Sequence, residues 1–432
     1  MKRVNGVNVV ALVLLSLRGQ VLGQAQYGVD CSFPMHSRVL RCPRGVDLGD
    51  REAFYQEYMQ GCRDYYGENG FLCDESEHDR LEMSLGQPQS LVNFTERGYL
   101  KIKAPESVMR LLLDHWEANK DKKIQEQWTK GNIYVNHWKS PTYMVSVENE
   151  KLRGGGDQLR SKVWGYAKST IQEWTQMELR PTSMYGIRVY TEGAVLSPHV
   201  DRLPLVSSAI INVAQDVDEP WPLEVIDRFG NAVNVTMEPG DMVLYESAST
   251  IHARPYPLKG RFFASIFIHF EPTGRPLYDD GSVAAIDHLD PKIPPYMLPN
   301  SSWADQYKEK NPYGWKRTSP SAPRLYSNAR EPHIAAATGD IQTLQRIVQL
   351  NKNVVHRRDE NGWQSIHEAV RGGHKEAVEL LIKHGADVNA RTGHDSKGQS
   401  PMNIAIGLHP RFAPIMTYLR SVGAKDIPPD EL

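Results

Sequence analysis

The chain has 432 residues, too many for one ordinary hydrophobic core, and so predicts two or three domains. Hydrophobic residues make up 40% and charged residues 24%, proportions that exclude a wholly disordered or membrane-embedded chain. A net charge of −2 supplies no general basic field, which excludes nucleic acid as the partner class.

At the N-terminus, Lys2 and Arg3 precede an apolar run of 11 positions, Val7 to Leu17, followed by Val21 and Gly23 ahead of Gln24. A basic start, a short apolar stretch and small residues predict a cleavable secretory signal over 1–23. A membrane anchor is the alternative, but a span needs about 20 apolar residues. This run is shorter and contains Asn8 and Ser16, so no stable membrane span is expected. All four cysteines, Cys31, Cys42, Cys62 and Cys73, fall within 43 residues. In an oxidising compartment they predict two disulfides in a module at 24–97, with three pairings open. A zinc site is the rival, disfavoured because no Cys-x2-Cys pair occurs. Glycosylation sequons at Asn93, Asn234 and Asn300 fit the same compartment. The tail at 428–432 ends in Pro429-Asp430-Glu431-Leu432, close to a Lys-Asp-Glu-Leu retrieval signal, so the endoplasmic reticulum lumen or secretory pathway is the expected location.

Between 98 and 180 the apolar residues of Val108–Trp116 and of Leu159–Met177 recur every three or four positions, which predicts two amphipathic helices. From Tyr185 the texture changes to short β-branched and aromatic runs: Tyr185–Tyr190, Ser207–Val213, Leu223–Ile226, Ala232–Met237, Met242–Tyr245 and Arg261–Phe270. Such runs predict an all-β sandwich, barrel or jelly roll. Residues 276–328 contain a proline-rich stretch, Pro291 to Pro323, with little periodicity and are expected to be a linker or wrapping extension. Over 329–427 the pattern is helical and repetitive. Gly339-Asp340 recurs as Gly373-His374 after 34 residues, and His374 to Ala390 closely matches an ankyrin repeat. About three repeats fit there, expected to bind an unknown protein partner.

The chemistry is carried between Arg188 and Phe270. Pro198-His199-Val200-Asp201 is followed by His252, 51 residues after the aspartate, and by Arg261, nine residues later. Two imidazoles and one carboxylate on one face of a metal leave open positions, the arrangement of non-haem Fe(II) oxygenases. Residues two apart on a strand share a face, so His199 and Asp201 can reach one ion, with His252 returned beside them by the strand ending at Tyr245. Arg261 opens an apolar strand and is expected to be buried, whereas Lys259 sits in a turn and is expected to be solvated.

With Arg188-Val189-Tyr190-Thr191-Glu192-Gly193 ahead of His199-Val200-Asp201, this segment resembles the catalytic core of the prolyl 4-hydroxylases of the Fe(II)/2-oxoglutarate dioxygenases. The resemblance implies a double-stranded β-helix (jelly-roll) core with flanking helices over 98–275, in a multidomain chain that adds an all-α ankyrin module. It implies iron on His199, Asp201 and His252, and 2-oxoglutarate on Tyr190 and Arg261. O2 is the implied second co-substrate and L-ascorbate a rescuing reductant, with succinate and CO2 released. Leu196, Phe267 and His269 take family positions near the substrate, a peptidyl proline. Leu196 and Phe267 replace the tyrosine and tryptophan frequent in relatives, which leaves another side chain, a small molecule or a non-catalytic ankyrin scaffold as alternatives.

Overall fold

The computed structural model describes residues 51–278, 286, 290–312, 314–315, 330–359, 362–393, 395–408 and 413–430. The expected signal segment, Cys31, Cys42 and the last two residues of the tail lie outside the described residues. Among the described residues no helix is long and apolar enough to cross a membrane.

The cysteine-bearing region forms a helical hairpin, α1 (Arg51–Tyr66) and α2 (Phe71–Gly86). Of the pairings open to four cysteines, the described one joins Cys62 to Cys73 across the hairpin. Both cysteines are fully buried with Tyr58, Met59, Ile133 and Val195, so the cross-link closes the hairpin while the packing around it seats the hairpin on the body of the protein.

The two amphipathic helices form as the periodicity requires. In α3 (Glu106–Asn119), Val108, Leu112 and Trp116 make one buried stripe. In α4 (Asp157–Thr175) the stripe is Leu159, Val163, Ala167, Ile171 and Trp174. Ahead of α4 the backbone of Gly156 takes a φ of 101°, which a side chain would resist.

Among the described residues twelve strands make two antiparallel sheets. Those used below are β1 (Tyr99–Lys103), β2 (Ile124–Gln125), β3 (Tyr143–Ser146), β4 (Met177–Ser183), β5 (Gly186–Thr191) and β6 (Leu196–His199). They continue with β7 (Ser207–Val217), β8 (Leu223–Ile226), β9 (Ala232–Val235), β10 (Asp241–Tyr245), β11 (His252–Arg254) and β12 (Gly260–Pro276). The larger sheet runs β1-β10-β7-β12-β5-β3-β2, with β4 also on β12, and the smaller runs β6-β11-β8-β9. The pleat decides where each apolar residue goes. On β10, Met242 and Leu244 face the cluster built with α3 and α4, whereas Val243 and Tyr245 join Tyr190, Leu223, Val225 and Phe263 between the sheets. The architecture is thus two antiparallel sheets with helices against the outer face of the larger one, a mixed helix and sheet domain beside the ankyrin module.

The proline-rich stretch wraps the sheets. Ile293, Tyr296 and Met297, with Ala304 of α5 (Ser302–Lys310), pack on Leu91, Val206 and Ala248. The Tyr296 hydroxyl and the Trp315 indole both donate to Glu271, at 2.7 and 2.8 Å.

The repeats form three helix pairs: α6 (Arg330–Thr338) with α7 (Ile341–Leu350), α8 (Ser365–Gly372) with α9 (Lys375–Lys383), and α10 (Pro401–Gly407) with α11 (Ala413–Ser421). The recurring glycine has a steric cause, since Gly339 has a φ of 73° and a Cβ there would lie 2.4 Å from His374 of the next repeat. The module also docks on α4. Arg357 pairs with Glu173 at 3.0 Å, Asn351 donates to the same carboxylate at 3.1 Å, and Leu350 joins the apolar cluster under the large sheet.

Candidate metal centre

β6 and β11 pair antiparallel with His199 directly opposite His252, so two imidazoles meet across one strand pair. Their ring centroids are 4.3 Å apart. Asp201 follows β6 and is held by its own N–H, which donates to the Ser247 carbonyl at 2.8 Å. One ligand atom from each of His199, Asp201 and His252 falls within 4.8 Å of the others. Asp201 Oδ1 faces both rings, 3.7 Å from His199 Nε2 and 3.9 Å from His252 Nε2.

The ring tautomers suit a metal. His199 Nδ1 lies 2.8 Å from the Ser197 carbonyl and His252 Nδ1 lies 3.0 Å from the Thr250 carbonyl. A carbonyl can only accept, so in each case Nδ1 carries the proton, and in the neutral ring Nε2 presents its lone pair to the cluster. Burial, then the neighbouring His252, push His199 down to about 3, so its imidazole is neutral at physiological pH. Asp201 lies below the ordinary carboxylate range, because the surrounding imidazoles outweigh the burial that opposes its ionisation. Two imidazoles and a carboxylate fit a divalent cation of borderline hardness.

Around the triad is a cavity of about 110 Å³, whose lining includes Tyr190, Leu196, Phe267 and His269. Four of the five residues expected to meet co-substrate or substrate therefore share the triad's cavity. Tyr190 is buried edge-on to Trp221, with centroids 5.1 Å apart, and its hydroxyl has no hydrogen-bond partner of ordinary geometry. His269 is oriented by a chain of hydroxyls. Ser247 donates to the Leu205 carbonyl, Ser208 therefore donates to Ser247, and His269 Nδ1 donates to Ser208, each at 2.7 Å. Burial lowers the His269 pKa, so its Nε2 is left unprotonated.

Arg261 is not brought to this site. It is 56% exposed and pairs on the surface with Asp216 and Asp218. The register of β12 against β7 shifts between Gly260 and Phe262. That irregularity breaks the alternation that would have set Arg261 on the inner face with Phe263, and leaves it in water. Lys259 is exposed as expected, paired with Glu219 at 3.0 Å. The sequence reading missed other cavity residues, namely Arg188, held by Glu126 through contacts of 2.8 and 2.9 Å, and Tyr245, whose hydroxyl lies 3.5 Å from Asp201. Arg188 and Tyr190 are two apart on one strand, a spacing that carried the signal for a shared face.

Residues 333–427 match the family model for ankyrin repeats in three copies. Protein phosphatase 1 regulatory subunit 27 of Mus musculus is 35% identical over 86 residues, 20% of this chain and 53% of that protein. Ankyrin repeat domain-containing protein 40 of Homo sapiens is 36% identical over 70 residues, 16% of this chain and 18% of that protein. The chain thus spans about half the length of the first of these relatives, and less of the second. Among solved structures the human ASB11 ankyrin repeat domain is 32% identical, with a TM-score of 0.20, covering 22% of this chain and 40% of that one. The C-terminal module is therefore an ankyrin-repeat, protein-interaction module.

Proposed function

We propose that the chain is an Fe(II)- and 2-oxoglutarate-dependent dioxygenase with a jelly-roll core, whose ankyrin module recruits or holds a protein. The observation that carries this reading is the His199, Asp201 and His252 cluster, with both Nε2 atoms turned toward Asp201 Oδ1. Those three side chains would hold the iron, which when bound supplies O2 activation coupled to oxidative decarboxylation of the 2-oxo acid to succinate and CO2. L-Ascorbate would serve as the rescuing reductant.

The chain's own residues do the rest. His199 and His252 keep their Nε2 lone pairs available through the backbone carbonyls that hold Nδ1. Leu196, Tyr190 and Phe267 wall the cavity and limit the water beside the reacting atoms. His269, with Nδ1 committed to Ser208, presents an acceptor to the substrate. The substrate we propose is a protein or peptide, with proline as the side chain hydroxylated. The Cys62–Cys73 disulfide supports action in the oxidising secretory pathway.

A second reading, a non-catalytic scaffold in which the ankyrin repeats alone do the work, is favoured by the comparisons, whose family match is confined to 333–427. One assay separates the two. The purified protein with Fe(II), ascorbate and a proline-rich peptide should release succinate from 2-oxoglutarate, and His199→Ala should abolish the release. A metal-loaded wild type that turns over no 2-oxoglutarate with any protein or peptide leaves the scaffold.

A further inference from the structure

The triad's cavity has neighbours. Tyr185, 56% exposed between β4 and β5, lines it and also lines a second cavity of about 220 Å³. The sheet joins the two as well, since Ser183 of the second cavity lies opposite His269 of the first in the register of β4 and β12. Arg202 and Pro204, just after Asp201, line both this second cavity and a third, of about 620 Å³, between α2 and α5. The three make one path from the triad, with Tyr185, Trp164, Trp303 and Trp315 along it. Such a path suits an extended polypeptide, whereas a compact small molecule would be enclosed by one cavity.

Charge picks out what the second cavity takes. Its lining holds two guanidinium groups, on Arg160 and Arg202, and one carboxylate, on Glu148. Arg160 is already matched, by Glu148 at 2.6 Å and by Asp157 at 2.8 Å. Arg202 is exposed, and among the described residues no acid pairs with it. In the third cavity Arg180 is taken by Glu271 and by the Trp315 ring, while Asp79 and Glu82 would repel a further carboxylate. Beside Arg202, the Trp164 indole N–H and the hydroxyls of Thr182 and Ser183 have no partner among the described residues. An indole N–H can only donate, and a hydroxyl turns to donate where an acceptor is offered, so this wall is short of acceptors. One unmatched cation with uncommitted donors matches a carboxylate. We infer that the second cavity is a substrate subsite for an acidic side chain, with Arg202 as its specificity-determining residue, on a peptide whose reacting residue lies at the triad. Adjacent Cα atoms are about 3.8 Å apart and an extended peptide rises about 3.3 Å per residue, so the acid falls within about three residues of the reacting one. This inference rests on the proposed function and deepens it, since it adds a charge requirement to the peptide substrate.

The test uses the full chain loaded with Mn(II) and 2-oxoglutarate and measures equilibrium binding of fluorescein-labelled peptides by anisotropy. Each peptide has a central proline and carries Glu, Gln or Lys at one of the three positions on either side of it. The wild type should bind the best Glu peptide about tenfold more tightly than its Gln counterpart, with the Lys counterpart weaker still. Arg202→Gln should erase that order, and Arg202→Glu should invert it, so that the Lys peptide binds best. A structural role for Arg202 would weaken all three peptides alike and would not exchange their order. Lys310→Gln, which removes the lysine of the third cavity, should keep the wild-type order. Should Arg202→Glu fail to fold, the loss of order in Arg202→Gln decides the matter. A wild type that binds the three peptides equally, or a folded Arg202 variant that keeps the wild-type order, overturns the subsite alone. Loss of the order in Lys310→Gln does the same. A wild type that binds no peptide overturns the proposed peptide substrate together with it.

Discussion

Gln87, which caps the C-terminus of α2, donates from Nε2 to the backbone carbonyl of Asp201 at 2.7 Å, and to that of Ala248 at 2.8 Å. On the same helix Ser84 Oγ accepts from the Val200 N–H at 3.2 Å, and Arg80, paired with Glu77, donates to the Pro198 carbonyl. Positions 80, 84 and 87 share one helix face, so the N-terminal hairpin holds the backbone on either side of His199. Gln87→Leu should leave two buried carbonyls without a donor, costing about 1–3 kcal/mol each. It should weaken Mn(II) binding roughly tenfold, since supports behind a ligand set ligand geometry. Metal titration checks this, and an unchanged affinity would show that the hairpin does not position Asp201.

The disulfide acts on the same relationship. Cys62 and Cys73 are separated by 11 residues and join α1 to α2, the helix that Gln87 caps. Replacing both with serine should lower stability by about 2–3 kcal/mol through the freed loop entropy of the unfolded chain. Metal affinity should fall with it, to a similar degree as in Gln87→Leu. Urea denaturation paired with metal titration tests the coupling, which fails if stability drops while metal affinity stays put.

At the other end of the core, Glu173 is the hub on which the ankyrin module sits. Its carboxylate accepts from Arg357, Asn351 and Tyr278, and Arg346 reaches Thr170 one turn away at 3.3 Å. Repeats that stack only on their neighbours would predict a core indifferent to their removal. Here Glu173→Ala would leave Arg357 buried without its counter-charge, at a cost of about 3–5 kcal/mol. Truncation after residue 329 should likewise destabilise the sheet domain, because it uncovers Glu173 and takes Leu350 out of the main apolar cluster. Limited proteolysis and denaturation of both variants measure this, and a truncated core as stable as the full chain would show the docking to be idle.

Within the repeats, His367 is fully buried, accepting from the Gln364 N–H at 2.9 Å and contacting the Ala390 carbonyl at 2.8 Å. Burial lowers its pKa to about 4 from an ordinary 6.5. The unfolded chain therefore binds a proton that the folded chain refuses between those two values. Its contribution to stability is intact above about pH 6.5 and is lost as pH falls toward about 4, by ~3 kcal/mol in total. The melting temperature of the wild type should fall more steeply over this window than that of His367→Gln; parallel curves would assign the acid sensitivity elsewhere.

The local elements were legible where one period dominated the sequence. The stripes of α3 and α4, the apolar strands β5, β7, β8 and β10, and the ankyrin glycines each follow from neighbours within one turn or one strand. The short partners β6 and β11 carry the two histidines of the cluster and gave no strand signal, since three or four residues cannot establish a period.

The triad itself could be read from residue type and order, because His199, Asp201 and His252 need only a strand and its return to meet. Which guanidinium lies inside could not. Arg261 and Arg254 both border apolar strands, and their fates turn on one register shift after Gly260 and on the rings of Trp221 and Phe263, which come from distant segments. The support of Asp201 by Gln87 spans 114 residues, and the docking of Arg357 on Glu173 spans 184. The sequence by itself determined the residue types of the His199, Asp201 and His252 cluster, the helical stripes and the repeat, because those depend on side-chain chemistry and short-range periodicity. Only the tertiary structure decided which charge is buried and which helix holds the ligands, because burial is a property of the packed whole and not of any local pattern.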